Sequence, residues 1–192
     1  MERSRGQVGA CPNVSGMRRT ARLPLPLLLI TLVLAGCTQP DPMPTPPPTP
    51  SASPVFASDE EALAAAEEAY GKYLETVDAI LADGGSNAER LKPLVTPALF
   101  EHEREGFATY ASTGWRGIGT RTFTLALQQY DSTGITAYSC DDLTNTDVVD
   151  ASGTSIVSDT RENEYAFEVG FELNDRSLVV ASKELWDGGG VC

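Results

Sequence analysis

The chain changes its hydrophobic period twice. Residues 23–36, "LPLPLLLITLVLAG", form one apolar run with no polar face. From residue 58 to about 113, apolar positions recur every three or four residues, the spacing of an amphipathic helix. Beyond Gly114 they alternate, the spacing of a half-buried strand.

"SDEEALAAAEEAYGKYLETVDAILADGG" (58–85) predicts a long helix. Ser58 is a good N-cap, and Glu61 stands three residues on, as in a capping box. The acidic residues 59–61 suit the positive end of the helix dipole. Leu63, Ala66, Tyr70, Tyr73, Leu74, Val77, Ile80 and Leu81 recur at helical spacing, and Gly84-Gly85 end the run. "SNAERLKPLVT" predicts a second, short helix with Ser86 and Glu89 as another capping box and Pro93 near its end. "TPALFEHEREGFATYAS" predicts a third, with Thr96 as N-cap and Pro97 at the first helical position. Leu99, Phe100, Phe107 and Tyr110 can share its buried face.

The alternating half predicts strands. "TRTFTLALQQY" sets Phe123, Leu125 and Leu127 on one side, and "GITAYSCDD" sets Ile135 and its alternating neighbours on one side. "VVDASGTSIV" reads as a short hairpin around Ser152-Gly153. In "ENEYAFEVGFEL", Tyr165, Phe167, Val169 and Phe171 alternate with Glu164, Glu168 and Glu172. "SLVVASKELW" is the last strand, closed by Trp186. Helices first and an antiparallel meander afterwards make an α+β fold, with the N-terminal helices packed on the sheet.

The first 58 residues do not share this patterning. "RRTAR" (18–22) is basic, the apolar run follows, and Cys37 comes next: the layout of a secretory signal. The run has 14 residues, whereas a membrane-spanning helix needs about 20, and Pro24 and Pro26 weaken it further. A signal is therefore preferred to a transmembrane anchor. Met17 offers a second start that would give a compact signal, with residues 1–16, including Cys11, outside it. The pair Arg18-Arg19 does not continue into a twin-arginine pattern.

"Leu34-Ala35-Gly36-Cys37" resembles the bacterial lipobox. Small residues let extended backbone enter a peptidase, the thiol accepts diacylglycerol, and cleavage before Cys37 frees an amine for further acylation. Two or more acyl chains anchor stably where one does not. The expected organisation is a signal peptide over 1–36, a lipidated Cys37 with a disordered tether over 37–57, and a folded domain over 58–192. Residues 38–58 hold eight of the chain's 13 prolines, so they favour polyproline II and cannot build a core. Fully extended, this stretch reaches roughly 65 Å. Thr45, Thr49, Ser51 and Ser53 offer hydroxyls for O-linked sugars, which nothing in the sequence demands.

The whole chain carries 14 basic and 27 acidic residues. Removing 1–36 takes away five arginines and one glutamate, leaving 9 basic and 26 acidic residues, a net charge of −17. Such a surface repels nucleic acid and anionic head groups. It suits solubility at a crowded cell surface, and it would attract cations or a basic partner. Export also bears on Cys140 and Cys192: outside the cell a disulfide between them is expected, tying the second long strand to the "GGGVC" tail. Without a Cys-x-x-Cys motif a redox pair is not indicated.

Helices followed by a meander with "Y-S-C-D-D" in its second strand, a D-x-x-G turn, a terminal Trp and a final Cys resemble the NTF2-like lipoproteins of actinobacteria over residues 58–192. The resemblance rests on element order and on Cys140, Asp142, Asp150, Gly153, Arg161, Trp186 and Cys192. It implies a cone, in which a curved antiparallel sheet wraps helices around a pocket. It implies no assigned activity, and it leaves pairing of two domains through their sheets open.

Candidate chemistry is sparse. His102 is the single histidine, in "FEHEREGF"; its neighbours Glu101 and Glu103 point elsewhere on a helix, so it reads as a solvated surface residue. No G-x-S-x-G motif and no zinc pattern occur. "DDLTNTDVVDASG" is rich in oxygen but lacks the spacing and glycine of an EF-hand, so an acidic turn is expected rather than a calcium site. NTF2-like folds also host isomerases and dehydratases with an Asp base and Tyr or His donors. Asp131, Asp142, Tyr138 and Tyr165 are the raw material for such a pocket, with Tyr165 core packing first by its alternation.

Two functions are expected from these observations. The first is a non-enzymatic lipoprotein on the outer face of the cell membrane, held through Cys37, that binds a small apolar ligand or an envelope protein, with no cofactor, metal or nucleic acid. The second is an NTF2-like isomerase or lyase acting on an apolar substrate, with Tyr138, Asp142 and Tyr165 at its pocket.

Overall fold

The computed structural model describes residues 55–192, Arg176 excepted. The expected signal, lipobox and most of the tether lie outside the described residues. Helix α1 spans Asp59–Ala82, a 3₁₀ helix spans Ala88–Leu94, and α2 spans Pro97–Thr113. Six strands follow: β1 Arg116–Gly119, β2 Thr122–Tyr130, β3 Gly134–Asp142, β4 Thr146–Val149, β5 Glu164–Asn174 and β6 Ser177–Leu185.

The helix ends follow local chemistry. Ser58 Oγ accepts from Glu61 N at 3.3 Å, and Glu61 Oε2 accepts from Ala57 N at 2.7 Å, so the box closes one residue ahead of the cap. Thr96 Oγ1 accepts from Leu99 N at 3.4 Å, and Gly114 ends α2 in the left-handed region. Ser86 and Glu89 do not form the second box. Asn87 occupies the cap position at φ 57° with no side-chain hydrogen bond, and Pro93 inside the segment removes a backbone donor. Only a short, tight 3₁₀ helix results. Gly85 turns the chain at φ 78°, where a Cβ would run into the Phe107 carbonyl.

The strands form an antiparallel sheet in the order β2-β3-β5-β6, a meander interrupted by one excursion. That excursion is β4, which leaves to pair with β1 as a two-stranded ribbon. The turn expected at Ser152-Gly153 is present, with Asp150 N bonded to Thr154 O and Ile156 N to Val148 O, but the main partner of β4 is β1. The four-stranded sheet is not closed into a barrel. Bulges interrupt its register between Leu127 and Gln129 in β2 and opposite Gly170–Phe171 in β6.

One face of this sheet carries the helices. Ile135 and Ala137 of β3, Val169 and Phe171 of β5, and Val180 of β6 meet Tyr70, Tyr73, Leu74, Val77 and Ile80 of α1 in one core. Ala62 takes the buried place next to Leu63, which is only half-buried. Phe56, just before α1, is buried and meets Tyr130 edge-on at 5.8 Å between ring centroids. The folded part therefore begins at least two residues before Ser58.

Candidate functional site: a buried tyrosine–carboxylate–lysine cluster

The alternation of β3 places Ile135, Ala137, Ser139 and Asp141 on the helix-facing side. The first two are core residues. The last two are polar and wholly buried, at 0% exposure each. A buried carboxylate persists only when it is paired and hydrogen-bonded. Asp141 meets that requirement. Its Oδ1 accepts from Ser139 Oγ at 2.7 Å and from Tyr70 OH at 2.9 Å. Its Oδ2 takes Lys183 Nζ at 2.7 Å and lies 3.0 Å from the same tyrosine hydroxyl. Three elements supply these groups: Tyr70 from the middle of α1, Ser139 and Asp141 from β3, and Lys183 from β6. The Lys183 ammonium also lies over the Phe167 ring at 4.0 Å from its centroid, a cation–π contact that compensates for lost water.

Two further pairs flank the cluster. Asp78 and Arg121 form an ion pair at 2.5 Å, each with its side chain 15% exposed. Tyr73 OH donates to Glu103 at 2.5 Å, joining α1 to α2. Burial pushes the Tyr70 hydroxyl above its ordinary value, and the Asp141 charge adds to this. Burial and Glu103 do the same to Tyr73. Burial pulls the Lys183 ammonium below its ordinary value, and Asp141 offsets part of that. The arrangement holds two neutral phenols, each on a carboxylate, and one ammonium in fixed positions. Asp141 already accepts from three donor groups, so its lone pairs are spent on the protein itself.

The residues expected at a pocket do not come together. Tyr138 and Asp142 belong to the other parity of β3 and point away from the helices. Tyr165 pairs with Asp141 in the β3–β5 register and so faces the helices. The three cannot line one cavity. Tyr138 lies against Trp186 at 4.5 Å between ring centroids, the rings tilted by 40°, and accepts from the Gln128 amide. Asp142 closes a turn: its Oδ1 accepts from Thr144 N at 2.7 Å, and hydrogen bonds from Thr144 hold its carboxyl below the usual range. Asp131 is committed in the same way to Thr133, which holds its carboxyl down as well. Neither carboxylate suits a base that must take a proton near neutrality. His102 is exposed on α2. In the oxygen-rich loop, Asp150 accepts from Ser152 and Thr154 of its own turn. Among the described residues no group of three or more His, Cys, Asp or Glu side chains is placed to hold a metal ion.

Cys140 and Cys192 are bonded, with their Cα atoms 5.1 Å apart. Cys140 lies on the outer parity of β3, so the bond straps the tail across the face that the helices leave bare. Trp186 N donates to Ala166 O at 2.9 Å, starting the tail over β5.

Tyr70, Ser139, Asp141 and Lys183 were not singled out from the sequence as site residues. Their signal was available: Ser139, Asp141 and Lys183 are polar residues at positions whose parity otherwise belongs to the core.

No family model and no curated protein matches the chain. Among solved structures, it is similar to the intermembrane space region of the chloroplast protein ARC6, at 11% identity and a TM-score of 0.49, over 64% of this chain and 95% of that one. It is also similar to Aln2 from a Streptomyces species, at 15% identity and a TM-score of 0.44, over 68% of this chain and 92% of that one.

Proposed function

We propose that this chain is a lipid-anchored, extracytoplasmic module built on an NTF2-like cone, and that it binds a protein of the cell envelope rather than transforming a substrate. The observation that carries the reading is Leu34-Ala35-Gly36-Cys37, standing between a 14-residue apolar run and a proline-rich stretch. An ordinary signal needs no cysteine at the cut, and a transmembrane anchor needs a longer run. The disulfide supports an oxidising location. Helices gathered on one face of a bulged antiparallel sheet support the cone.

The interior supports a protein partner over a small apolar ligand. Where a cone would open, Tyr70 and Tyr73 are 0% and 2% exposed and Val169 is 0% exposed, and the polar groups among them satisfy one another. The larger depressions lie on the surface. One of about 800 Å³ runs beside α1, lined by Ala65, Ala69, Leu94 and Leu178. A shallow concavity of about 670 Å³ lies on the sheet near Thr136 and Ser182.

The anchor is tested by metabolic labelling with palmitate and fractionation of cells producing the chain and its Cys37→Ser variant. The expected result is label and membrane recovery for the parent, and neither for the variant. An unlabelled parent, or a variant that stays with the membrane, would sink the reading.

A further inference from the structure

The two edges of the four-stranded sheet are treated differently. At β6 the edge is partly covered: Val95 bridges to Val180, and Thr96 N donates to Val180 O at 3.0 Å. That strand also carries Lys183 and Glu184, and charge on an edge discourages pairing. Among the described residues, β2 pairs with β3 on one side and with no strand on the other. Its nine residues, "TFTLALQQY", include no charge and no proline. Every other long strand of the sheet carries at least one carboxylate. An uncharged free edge is the exception in a chain whose expected mature charge is −17.

The side chains at this edge are incompletely buried. Phe123, Leu125 and Leu127 face the helices yet remain only half-buried, whereas Ile135, Ala137 and Val169, on the strands behind them, are 3%, 0% and 0% exposed. Beside them a depression of about 420 Å³ is lined by Leu63, Leu127 and Tyr130, with Gln128, Gln129 and the α1 carboxylates Asp59 and Glu60 at its rim. The core is thus open along β2. An added antiparallel strand would bond the free backbone groups and cover these side chains.

We propose that β2 is the docking edge for a second copy of this chain, with two β2 strands pairing antiparallel across a two-fold axis. Register supports the choice of occupant. Residues directly opposite in an antiparallel pair point to the same face. An axis through Leu125 sets Leu125 against itself and Phe123 against Leu127 of the second copy. Apolar positions then meet apolar positions, and Thr124 meets Ala126 on the exposed side. Self-complementarity of this kind is what a two-fold interface requires. Two acidic copies repel elsewhere, whereas β2 brings no carboxylate of its own to the seam, and the two-fold axis sends Asp59 and Glu60, which lie at the Tyr130 end of β2, to opposite ends of it. The proposal deepens the reading of an anchored module, because anchored copies would share one layer and meet at raised effective concentration.

The test uses the full oxidised chain with Cys11→Ser and Cys37→Ser, so that no acyl chain drives association and a failure here is separate from a failure of the anchor. Sedimentation equilibrium over a wide range of concentration is expected to show monomer and dimer. Association should strengthen with salt, as the Debye length falls from about 10 Å at 0.1 M to about 3 Å at 1 M. The amides of β2 should exchange more slowly as the dimer fills. Thr124→Asp with Ala126→Asp changes two exposed positions and sets two new carboxylate pairs across the axis. It should raise the dissociation constant about tenfold while leaving the melting temperature of the monomer in place. A chain that stays monomeric at every concentration and salt overturns the proposal. So does a dimer that the two aspartates leave unchanged, since its interface then lies elsewhere.

Discussion

The two faces of the four-stranded sheet solve the same problem with different means. On the inner face, buried polar groups are few and all are paired: Asp141 meets Tyr70, Ser139 and Lys183, and helices α1 and α2 cover the rest. On the outer face, carboxylates are many and unpaired. Asp142 stands opposite Glu164, and Glu168 opposite Glu184, with no cation among the partners that register supplies. Among the described residues, the seven-residue tail lies on part of the outer face, held by Trp186 against Tyr138 and by the Cys140–Cys192 bond. The comparison teaches where stability is concentrated. The inner face depends on completed hydrogen bonding in a dry place, where a missing partner is expensive. The outer face depends on a covalent strap, because solvated like charges offer no cohesion of their own.

The sharpest way to break this contrast is to remove a partner from each face. Asp141→Ala deletes the acceptor for three donors and leaves the Lys183 amine, 11% exposed, without its carboxylate. The expected loss is about 3–5 kcal/mol, read as a shift in the urea midpoint at constant slope. Glu168→Ala on the outer face should cost nothing by the same measurement. Equal losses at the two positions would show that the faces do not differ in this way.

The strap comes next. Cys140→Ser with Cys192→Ser should cost about 2–4 kcal/mol, since the bond closes a loop across a sequence separation of 52 residues. The loss should be accompanied by increased mobility of the tail and a change in Trp186 fluorescence, as its contact with Tyr138 relaxes. A double variant with unchanged stability would mean that Trp186 alone holds the tail.

Much of the fold was legible because period and capping agree. Ser58, Thr96, Pro97, Gly84 and Gly114 marked the helix ends, and alternation marked β2, β3, β5 and β6. The second capping box failed because Asn87 enters the left-handed region and Pro93 shortens the segment, and pattern alone does not report backbone angle. The pairing of β4 with β1 was hidden for another reason: two four-residue strands are too short to show a period, and neither names its partner in the pattern. The candidate site was half legible. Parity alone places Ser139 and Asp141 with the core of β3, but it does not say that Tyr70, 69 residues earlier, rises to meet them. Parity likewise separates Tyr138 and Asp142 from Tyr165, once the β3–β5 register is known.

Alkaline titration distinguishes the faces without a large mutational change. Tyr70 and Tyr73 are raised in the folded state by burial first and by Asp141 and Glu103 second. The unfolded chain gives up those phenol protons near pH 10 while the folded chain keeps them. The unfolded state then binds fewer protons, and stability falls as pH rises above about 10, at about 1.4 kcal/mol per pH unit for each group. Lys183 works in the opposite sense. Its lowered value makes the folded state lose a proton first, so stability rises between that value and about 10.4, the unfolded one. Two phenols outweigh one ammonium, and the net slope above pH 10 is downward. Tyr70→Phe should make that slope shallower, whatever it does to stability at pH 7. An unaltered slope in Tyr70→Phe would remove the buried phenol from the account.

The smallest effect has the opposite sign and sharpens the comparison most. Glu168 and Glu184 face each other directly across β5 and β6 on the outer face. Like charges in that relation oppose pairing, by about 0.2–1 kcal/mol. Glu184→Lys replaces the repulsion with an ion pair and should stabilise the domain by an amount in that range. The gain should shrink in high salt, because both groups are reached by solvent. The inner face offers no equivalent improvement, since each of its charges already has a partner. If Glu184→Lys instead destabilises the isolated chain, the outer carboxylates are held by something other than the tail. The outer face would then be as structurally committed as the inner one, and its acidity would no longer mark a surface left free of internal duties.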